Sequence, residues 1–256
     1  MTQNANEAAI WPPVFDRRPS KPVGQENFPA RATLEATDAP AAPVTKRNSV
    51  PSPSNQNTFR CRICGQFGAC TAYGSCNFLR SVSAVLRRWL GNHAYHSLYH
   101  EAQFFDEWKG SFIPGPDTYE GSSANGVALA MRDRGWINEF TWTHDPAELA
   151  RAINVTPGGV LVASNWYAGM MRTDSSGVIR ATGTLEGGHM FHVPGYDAVT
   201  RHFEMFQSWG PQWGVRIPGY RTPMDVRSFA RIPFDDMGRL LGEDGEGLVI
   251  PKVLVT

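Results

Sequence analysis

Four cysteines are the residues of this sequence that offer the most chemistry, and all lie between Cys61 and Cys76. Disulfide bonding, zinc binding and nucleophilic catalysis are the three uses that such a cluster suggests. Disulfide frameworks are typical of small secreted proteins, whereas a chain of 256 residues can bury a sizeable core without them. Zinc ribbons place a second Cys-x-x-Cys pair much further along the chain than Cys70. The spacing therefore predicts no metal and favours a reactive thiol.

Cys70 is the predicted nucleophile, because it follows Gly68 at the start of a predicted helix. A thiolate is stabilised at a helix N-terminus, where free amide groups and the helix dipole favour negative charge. The helix is predicted from apolar residues that recur at helical spacing over about five turns, namely Phe78, Val82, Val85, Leu86 and Trp89. Cys76 would lie nearly two turns into this helix, where the amide groups are already paired. A buried structural cysteine explains the Cys70 segment taken alone equally well.

His189 is the predicted general base. Two glycines precede it, Gly187 and Gly188, and they allow the backbone to approach closely at the edge of a strand. His192 follows three residues later and should point to the opposite face of that strand. A single histidine in such a place is more often structural than catalytic, so the assignment depends on its partners.

Gln207 is the predicted partner of that imidazole. It begins the sequence Gln207-Ser208-Trp209-Gly210, on a predicted strand that follows His189 in the chain. A side-chain amide can orient an imidazole by hydrogen bonding, and a neighbouring tryptophan can shield that bond from water. Trp209 is expected to do so.

Taken in order, these segments resemble the papain family of cysteine peptidases, and most closely its bacterial and phage members. The resemblance extends over about residues 60–250, and six short motifs carry it. They are Gly68-Ala69-Cys70, Asp106-Glu107-Trp108-Lys109-Gly110, Tyr119-Glu120-Gly121-Ser122, Asn165-Trp166-Tyr167, Gly187-Gly188-His189 and Ser208-Trp209-Gly210. Each motif alone is weak, but six in the same order are specific.

The resemblance implies peptide-bond hydrolysis through an acyl-enzyme, with Cys70 as nucleophile, His189 as base and Gln207 as the residue that orients the base. It implies a peptide or protein substrate and no cofactor. Trp209 and Trp213 would form a wall of the cleft on its leaving-group side. The Tyr119–Ser122 stretch would lie in the other lobe, although a helix-capping turn explains it equally well.

Two positions depart from the family pattern. The family carries a glutamine six residues before the nucleophile as an oxyanion donor, and this chain has Cys64 there. Gln66 is the nearest glutamine, four residues before Cys70. The family's imidazole-orienting asparagine is replaced by Gln207, which is one methylene longer. These departures leave two outcomes open, a weakened enzyme or an inactive papain fold used for structure or binding, such as a component of a phage virion.

Helices are predicted before strands along the chain, which indicates an α+β fold with a helical lobe and an antiparallel β lobe. Beyond the Cys70 helix, helical patterns cover 98–108 and 122–134, and a short helix begins at Asp145-Pro146. Strand patterns cover 159–163, 190–193, 203–207 and 248–255. The predicted peptidase domain spans residues 58–256.

Residues 1–57 are predicted to form an extended or disordered arm, because they hold nine of the 19 prolines and little to bury. Trp11, Phe15 and Phe28 could dock the arm on the domain or on a partner protein. Cys61 and Cys64 are expected to be structural, as a disulfide outside a reducing compartment and as free thiols within one.

Charge and hydropathy exclude several other functions. Lys plus Arg and Asp plus Glu both number 24, so no net charge favours nucleic acid or an anionic membrane. No apolar stretch approaches a membrane span or the core of a signal peptide. We therefore expect a soluble protein, cytoplasmic or associated with a virion. His93, His96, His100 and Asp106 have the residue types of a metal site, but they fit a solvated helix face better.

Overall fold

The computed structural model describes residues 17–18, 44–45, 68–107, 121–218, 220 and 227–255. Within them, helices α1 to α6 cover Cys70–Val82, Ala84–Trp89, Asn92–Phe105, Ala124–Asp133, Pro146–Val155 and Phe234–Gly242. Strands β1 to β9 cover Arg17–Arg18, Val44–Thr45, Ser122–Ser123, Thr141–Thr143, Val160–Tyr167, Leu185–Asp197, His202–Phe206, Phe229–Pro233 and Glu246–Val249. The predicted order of early helices followed by strands is confirmed.

The Cys70 helix is shorter than predicted, so the prediction of one helix reaching Trp89 was wrong. Ser83 interrupts it with extended backbone angles, φ −117° and ψ 120°. The Ser83 side chain then accepts a hydrogen bond from the Leu86 amide at 3.0 Å and caps α2. Trp89 is 76% exposed and does not belong to the buried face. The apolar periodicity continues across Ser83, so it does not reveal that this serine ends α1 and caps α2.

The starts of α4 and α5 lie where the capping residues predicted them. Ser123 accepts from the Gly126 amide at 2.9 Å, and Asp145 accepts from the Glu148 amide at 2.7 Å. The start of α3 was predicted too late, because α3 begins at Asn92 rather than at Leu98. The first turns of α3 carry mostly polar residues, and Tyr95 is the buried apolar residue among them. The sequence pattern therefore gave little sign of a helix there.

The main sheet has seven strands in the described residues, in the order β4-β9-β5-β6-β7-β8, with β2 also paired to β6. All of its strand pairs are antiparallel. Predicted strands at 159–163, 190–193 and 203–207 correspond to β5, β6 and β7. The predicted strand 248–255 was too long, since β9 ends at Val249. Pro251 follows and lacks the amide hydrogen that a continuing ladder would need. Strands β4 and β8 were missed.

The two central strands separate the apolar residues into two cores. Leu161, Ala163 and Met190 face a core that is otherwise built mainly from α1, α3 and α4. Val162 and Phe191, which alternate with them along β5 and β6, face a second core built from the sheet, α5 and α6. The predicted fold class, a helical lobe beside an antiparallel β lobe, is therefore confirmed.

The N-terminal segment is described at only two places, and both are strands. Arg17–Arg18 pair in parallel with Ser122–Ser123, and Val44–Thr45 pair with Gly195 and Tyr196 of β6. The predicted docking residues Trp11, Phe15 and Phe28 lie outside the described residues. In the part of the chain that the structure describes, no helix is long and apolar enough to cross a membrane.

Candidate active site

His189 and Gln207 are joined by a buried hydrogen bond. His189 lies in β6 and Gln207 follows the last residue of β7, and their atoms Nε2 and Oε1 are 2.7 Å apart. The same Gln207 oxygen accepts from the Ser208 amide at 2.8 Å, which fixes the orientation of the side-chain amide. An amide oxygen can only accept, so His189 Nε2 donates and Nδ1 is the nitrogen left for a reacting group. The contact predicted between Gln207 and His189 is present.

Aromatic rings enclose this imidazole. The ring centroids of Trp209 and Trp166 lie 5.1 Å and 4.9 Å from that of His189. Trp213 contacts Trp209 edge-on at 5.5 Å and donates from its indole nitrogen to the Met171 carbonyl oxygen at 2.9 Å. The Trp209 ring packs against that of His189, and its expected shielding of the hydrogen bond stays a prediction. The role of Trp166 was missed, and its only signal was its place in the Asn165-Trp166-Tyr167 motif.

Burial controls the protonation of His189. Desolvation lowers its pKa from 6.5 to about 4, and the hydrogen bond that His189 donates to Gln207 offsets only part of this effect. An imidazole in this place is neutral at pH 7 unless an anion stands beside it. A thiolate is the kind of anion that would hold the ring in its charged form.

Cys70 occupies the position that the nucleophile hypothesis requires at the start of α1. It is the first residue of that helix, and it is buried. A thiol at a helix N-terminus faces amide groups that have no helical partner. Its place at the helix start is the feature that favours a thiolate.

The packing of α1 on β6 gives the register between Cys70 and His189. A side chain added at Gly74 would meet the Met190 carbonyl oxygen at 3.2 Å, and the Phe78 ring lies 5.7 Å from that of His192. Four helical residues rise about 6 Å, which is close to the length of two strand residues. Extrapolated one turn back from Gly74, this register predicts that Cys70 lies level with Gly188, the residue before His189. The catalytic pairing of Cys70 with His189 stays a prediction.

Cys76 has the properties of a structural cysteine. It lies in the middle of α1, fully buried in the core of the helical lobe. Burial raises the pKa of its thiol strongly, against the opposing effect of Arg134 and Arg80. A thiol held protonated in this way is a poor nucleophile, which favours Cys70.

His192 points away from His189, as the strand alternation predicted. Its Nε2 lies 2.7 Å from the Gly158 carbonyl oxygen, and its ring meets Phe78 edge-on. Burial lowers its pKa to about 4. His192 therefore serves the packing of the helical lobe on the sheet.

Three histidines lie along α3, at positions 93, 96 and 100. Among the described residues, no group of three or more histidine, cysteine, aspartate or glutamate side chains could hold a metal ion. His96 and His100 contact each other edge-on, with ring centroids 4.4 Å apart, beside the exposed His93. Their predicted place on an accessible helix face agrees with this arrangement.

The remaining predicted site residues lie outside the described part of the chain. These are Cys61, Cys64 and Gln66, together with Trp108 and Tyr119 of the family motifs. Their expected roles, including an oxyanion donor at Cys64 or Gln66, stay predictions.

Comparisons with known proteins find likeness at the level of structure. No family model matches the chain, and no curated protein matches it. Xylellain, a cysteine protease from Xylella fastidiosa, superposes over 93% of this chain and 96% of its own, with a TM-score of 0.54 and 17% identity. Digestive procathepsin L 3 of Tenebrio molitor superposes over 85% and 72%, with a TM-score of 0.49 and 14% identity. The superposition on xylellain, together with the helical lobe beside the antiparallel sheet, shows that the chain has a papain-like fold.

Substitutions at Gln207 test whether the observed contact orients the imidazole. Gln207→Ala is expected to lower peptidase activity about tenfold or more, because His189 Nε2 would lose its buried acceptor. Gln207→Asn should preserve or raise activity, since asparagine is the family residue. Steady-state kinetics of the three proteins on one peptide substrate measure this. Equal activity of all three would show that Gln207 does not orient the base.

Proposed function

We propose that the protein is a papain-like cysteine peptidase that hydrolyses peptide bonds. The observation that carries the proposal is the buried hydrogen bond from His189 to Gln207 beneath Trp209. A structural histidine needs no such oriented amide, whereas a general base that presents Nδ1 to a nucleophile does. The papain-like fold and the position of Cys70 at a helix start support the same assignment.

The chemistry would proceed through a thioester. The Cys70 thiolate attacks the carbonyl carbon of the scissile peptide bond, and the His189 imidazolium protonates the departing amine as the C–N bond breaks. His189 then removes a proton from water, and the resulting hydroxide attacks the thioester carbon. The C–S bond breaks, which regenerates the Cys70 thiolate and releases the carboxylic acid product. Gln207 holds the ring throughout, and the reaction requires no cofactor.

Access to this site requires movement, because Cys70, His189 and Gln207 are all 0% exposed. Residues 58–256 are the proposed catalytic unit. Strand β1 of the N-terminal segment pairs with β3 and lies close to β6, the strand that carries His189. A hydrogen bond between Ser122 and Thr71 links β3 to the residue after Cys70. We infer that the N-terminal segment, residues 1–57, is where a partner protein docks.

The second candidate is a papain-fold protein used for structure or binding, such as a phage virion component. Cys64 in place of the family's glutamine favours this candidate, because one oxyanion donor would be lost. From the same resemblance we also propose a bacterial or phage origin and a cytoplasmic or virion location. Reactivity at Cys70 separates the two candidates.

Thiol labelling tests the proposed function directly. The protein is treated with iodoacetamide and with a peptidyl epoxide, before and after brief trypsin trimming of the arm, and the modified cysteine is identified by mass spectrometry. We expect Cys70 to react and Cys76 to stay unmodified until the protein is denatured. His189→Ala should slow the reaction, since the thiolate loses its imidazolium partner. Absence of label at Cys70 in both states of the arm would overturn the enzyme proposal.

A further inference from the structure

Ser228 adopts a backbone conformation that is unusual for serine. Its φ is 52°, in the left-handed region, where the Cβ atom of most residues is crowded against the backbone. The residue is fully buried and directly precedes β8. A buried left-handed residue other than glycine persists only where its surroundings fix it, and such residues concentrate at functional sites. Ser228 bonds to Gln207, the hydrogen-bond partner of His189.

Three hydrogen bonds join Ser228 to the segment 207–213. The Gln207 amide donates to the Ser228 carbonyl oxygen at 2.8 Å, and the Ser228 amide donates to the Trp213 carbonyl oxygen at 2.6 Å. The Ser228 hydroxyl donates to the carbonyl oxygen of Gly210, midway along the segment. One residue therefore fixes both ends and the middle of the segment that carries the partner of the imidazole.

The left-handed turn explains how Ser228 reaches both ends of the segment. Phe206 and Phe229 lie opposite each other in the antiparallel ladder of β7 and β8, so a regular ladder would next pair Gln207 with Ser228 through two exchanged bonds. The Gln207 amide makes one of these bonds, whereas the Ser228 amide turns to Trp213 instead. An extended backbone at residue 228 would direct that amide to Gln207 and release Trp213.

Gly214 allows the segment to fold back onto β8 after Trp213. Its φ is 71°, and a Cβ atom there would lie 2.2 Å from the Phe229 carbonyl oxygen. Val215 then exchanges two backbone hydrogen bonds with Phe229, at 2.8 Å and 3.2 Å. Trp213, which lies edge-on to Trp209, is thereby held in place from both directions along the chain.

We infer that Ser228 is a positioning residue, which holds Gln207 where its side-chain oxygen meets the imidazole of His189. Gln207 Oε1 lies 2.7 Å from His189 Nε2. Glutamine has a more flexible side chain than the family's asparagine, so its oxygen keeps that place only where the backbone is fixed. The effect of Ser228 on the ring is independent of any activity, and only its effect on turnover rests on the proposed function.

Two substitutions at Ser228 separate a backbone role from a packing role. Ser228→Ala keeps the Cβ atom but loses the hydroxyl bond that offsets the left-handed strain, so the backbone should turn towards extended angles. Ser228→Gly also loses the hydroxyl, but glycine adopts the left-handed conformation readily. A packing role predicts the opposite order of effects, because glycine removes more buried atoms. Ser83→Ala is the matched control, since Ser83 is fully buried and accepts a hydrogen bond from the Leu86 amide.

The first readout is hydrogen exchange of the His189 ring proton, and it needs no catalytic activity. The proton on Nε2 is buried and hydrogen-bonded, so it should give a slowly exchanging NMR signal in full-length protein with isotopically labelled histidine. His189→Ala identifies the signal, and thermal unfolding establishes that each variant is folded. We expect exchange about tenfold faster in Ser228→Ala, and within about threefold of the wild type in Ser228→Gly and Ser83→Ala.

Two outcomes of the exchange experiment would overturn the inference. One is unchanged exchange in Ser228→Ala. The other is loss of slow exchange in Ser228→Gly, which counts against the inference even if Ser228→Ala does not fold, because glycine carries no left-handed strain.

The second readout is steady-state kinetics on one peptide substrate. A displaced Gln207 oxygen affects the imidazole and not the binding of peptide, so kcat should fall about tenfold in Ser228→Ala while KM stays within about threefold. Ser228→Gly should recover most of this loss. An unchanged kcat in a variant whose ring proton exchanges faster would overturn the effect on turnover. If the wild type has no turnover and Cys70 reacts with neither thiol reagent, the proposed function fails, and the exchange rates alone decide the role of Ser228.

Discussion

Replacing Cys70 by alanine is expected to abolish peptide hydrolysis, with a loss on the order of a million-fold if this nucleophile acts as those of other covalent hydrolases do. Loss of the thiolate removes the thioester route altogether, and no second nucleophile takes its place. Cys76 cannot substitute, because burial holds its thiol protonated within the core of the helical lobe. Release of a fluorescent group from a peptide library measures the effect.

The matched control for this prediction is Cys76→Ala in the same helix. It removes one buried sulfur atom and should reduce stability modestly, by about 1 kcal/mol, with little effect on turnover. Thermal unfolding and turnover are measured on both variants. Full activity in Cys70→Ala, or loss of activity in folded Cys76→Ala, would contradict the assignment of the nucleophile.

The fold was largely predictable because its elements leave local signals. The caps Ser123 and Asp145 mark two helix starts, and the apolar runs of β5 and β6 mark the centre of the sheet. What was missed depends on tertiary contacts. Ser83 ends one helix and caps the next, and β4 pairs with a strand that is distant in the chain, Glu246–Val249. Neither feature changes the local hydrophobic pattern.

The candidate site was predictable where one residue type carries one chemical role. Gln207 was identified from its place before Ser208-Trp209, and the structure gives it the hydrogen bond to His189. The link from Glu107 to Ser123 was not predicted, because it joins the end of one helix to the start of another. Spacing in the sequence contains no information about such a contact until the packing of α3 on α4 is known.

The departure at position 64 gives the second large expected effect. A thiol is a weak hydrogen-bond donor on a short side chain, so Cys64 cannot replace the amide donor that the papain family uses six residues before the nucleophile. The amide of Cys70 itself, at the start of α1, would remain as a donor to the tetrahedral intermediate. We therefore expect slow turnover in the wild type.

Cys64→Gln should raise kcat by a factor of about a hundred to a thousand, or roughly 3 kcal/mol of transition-state stabilisation, if the new amide reaches the oxyanion. The gain should appear in kcat rather than KM, because the donor acts on charge that develops only in the transition state. Cys61→Gln adds the same side chain three residues away and should have no such effect. Gln66→Ala should leave wild-type turnover unchanged, and a hundredfold loss there would mean that Gln66 already supplies the donor. The gain must vanish in the double variant Cys64→Gln, Cys70→Ala, because an oxyanion donor accelerates only a reaction that the nucleophile has begun.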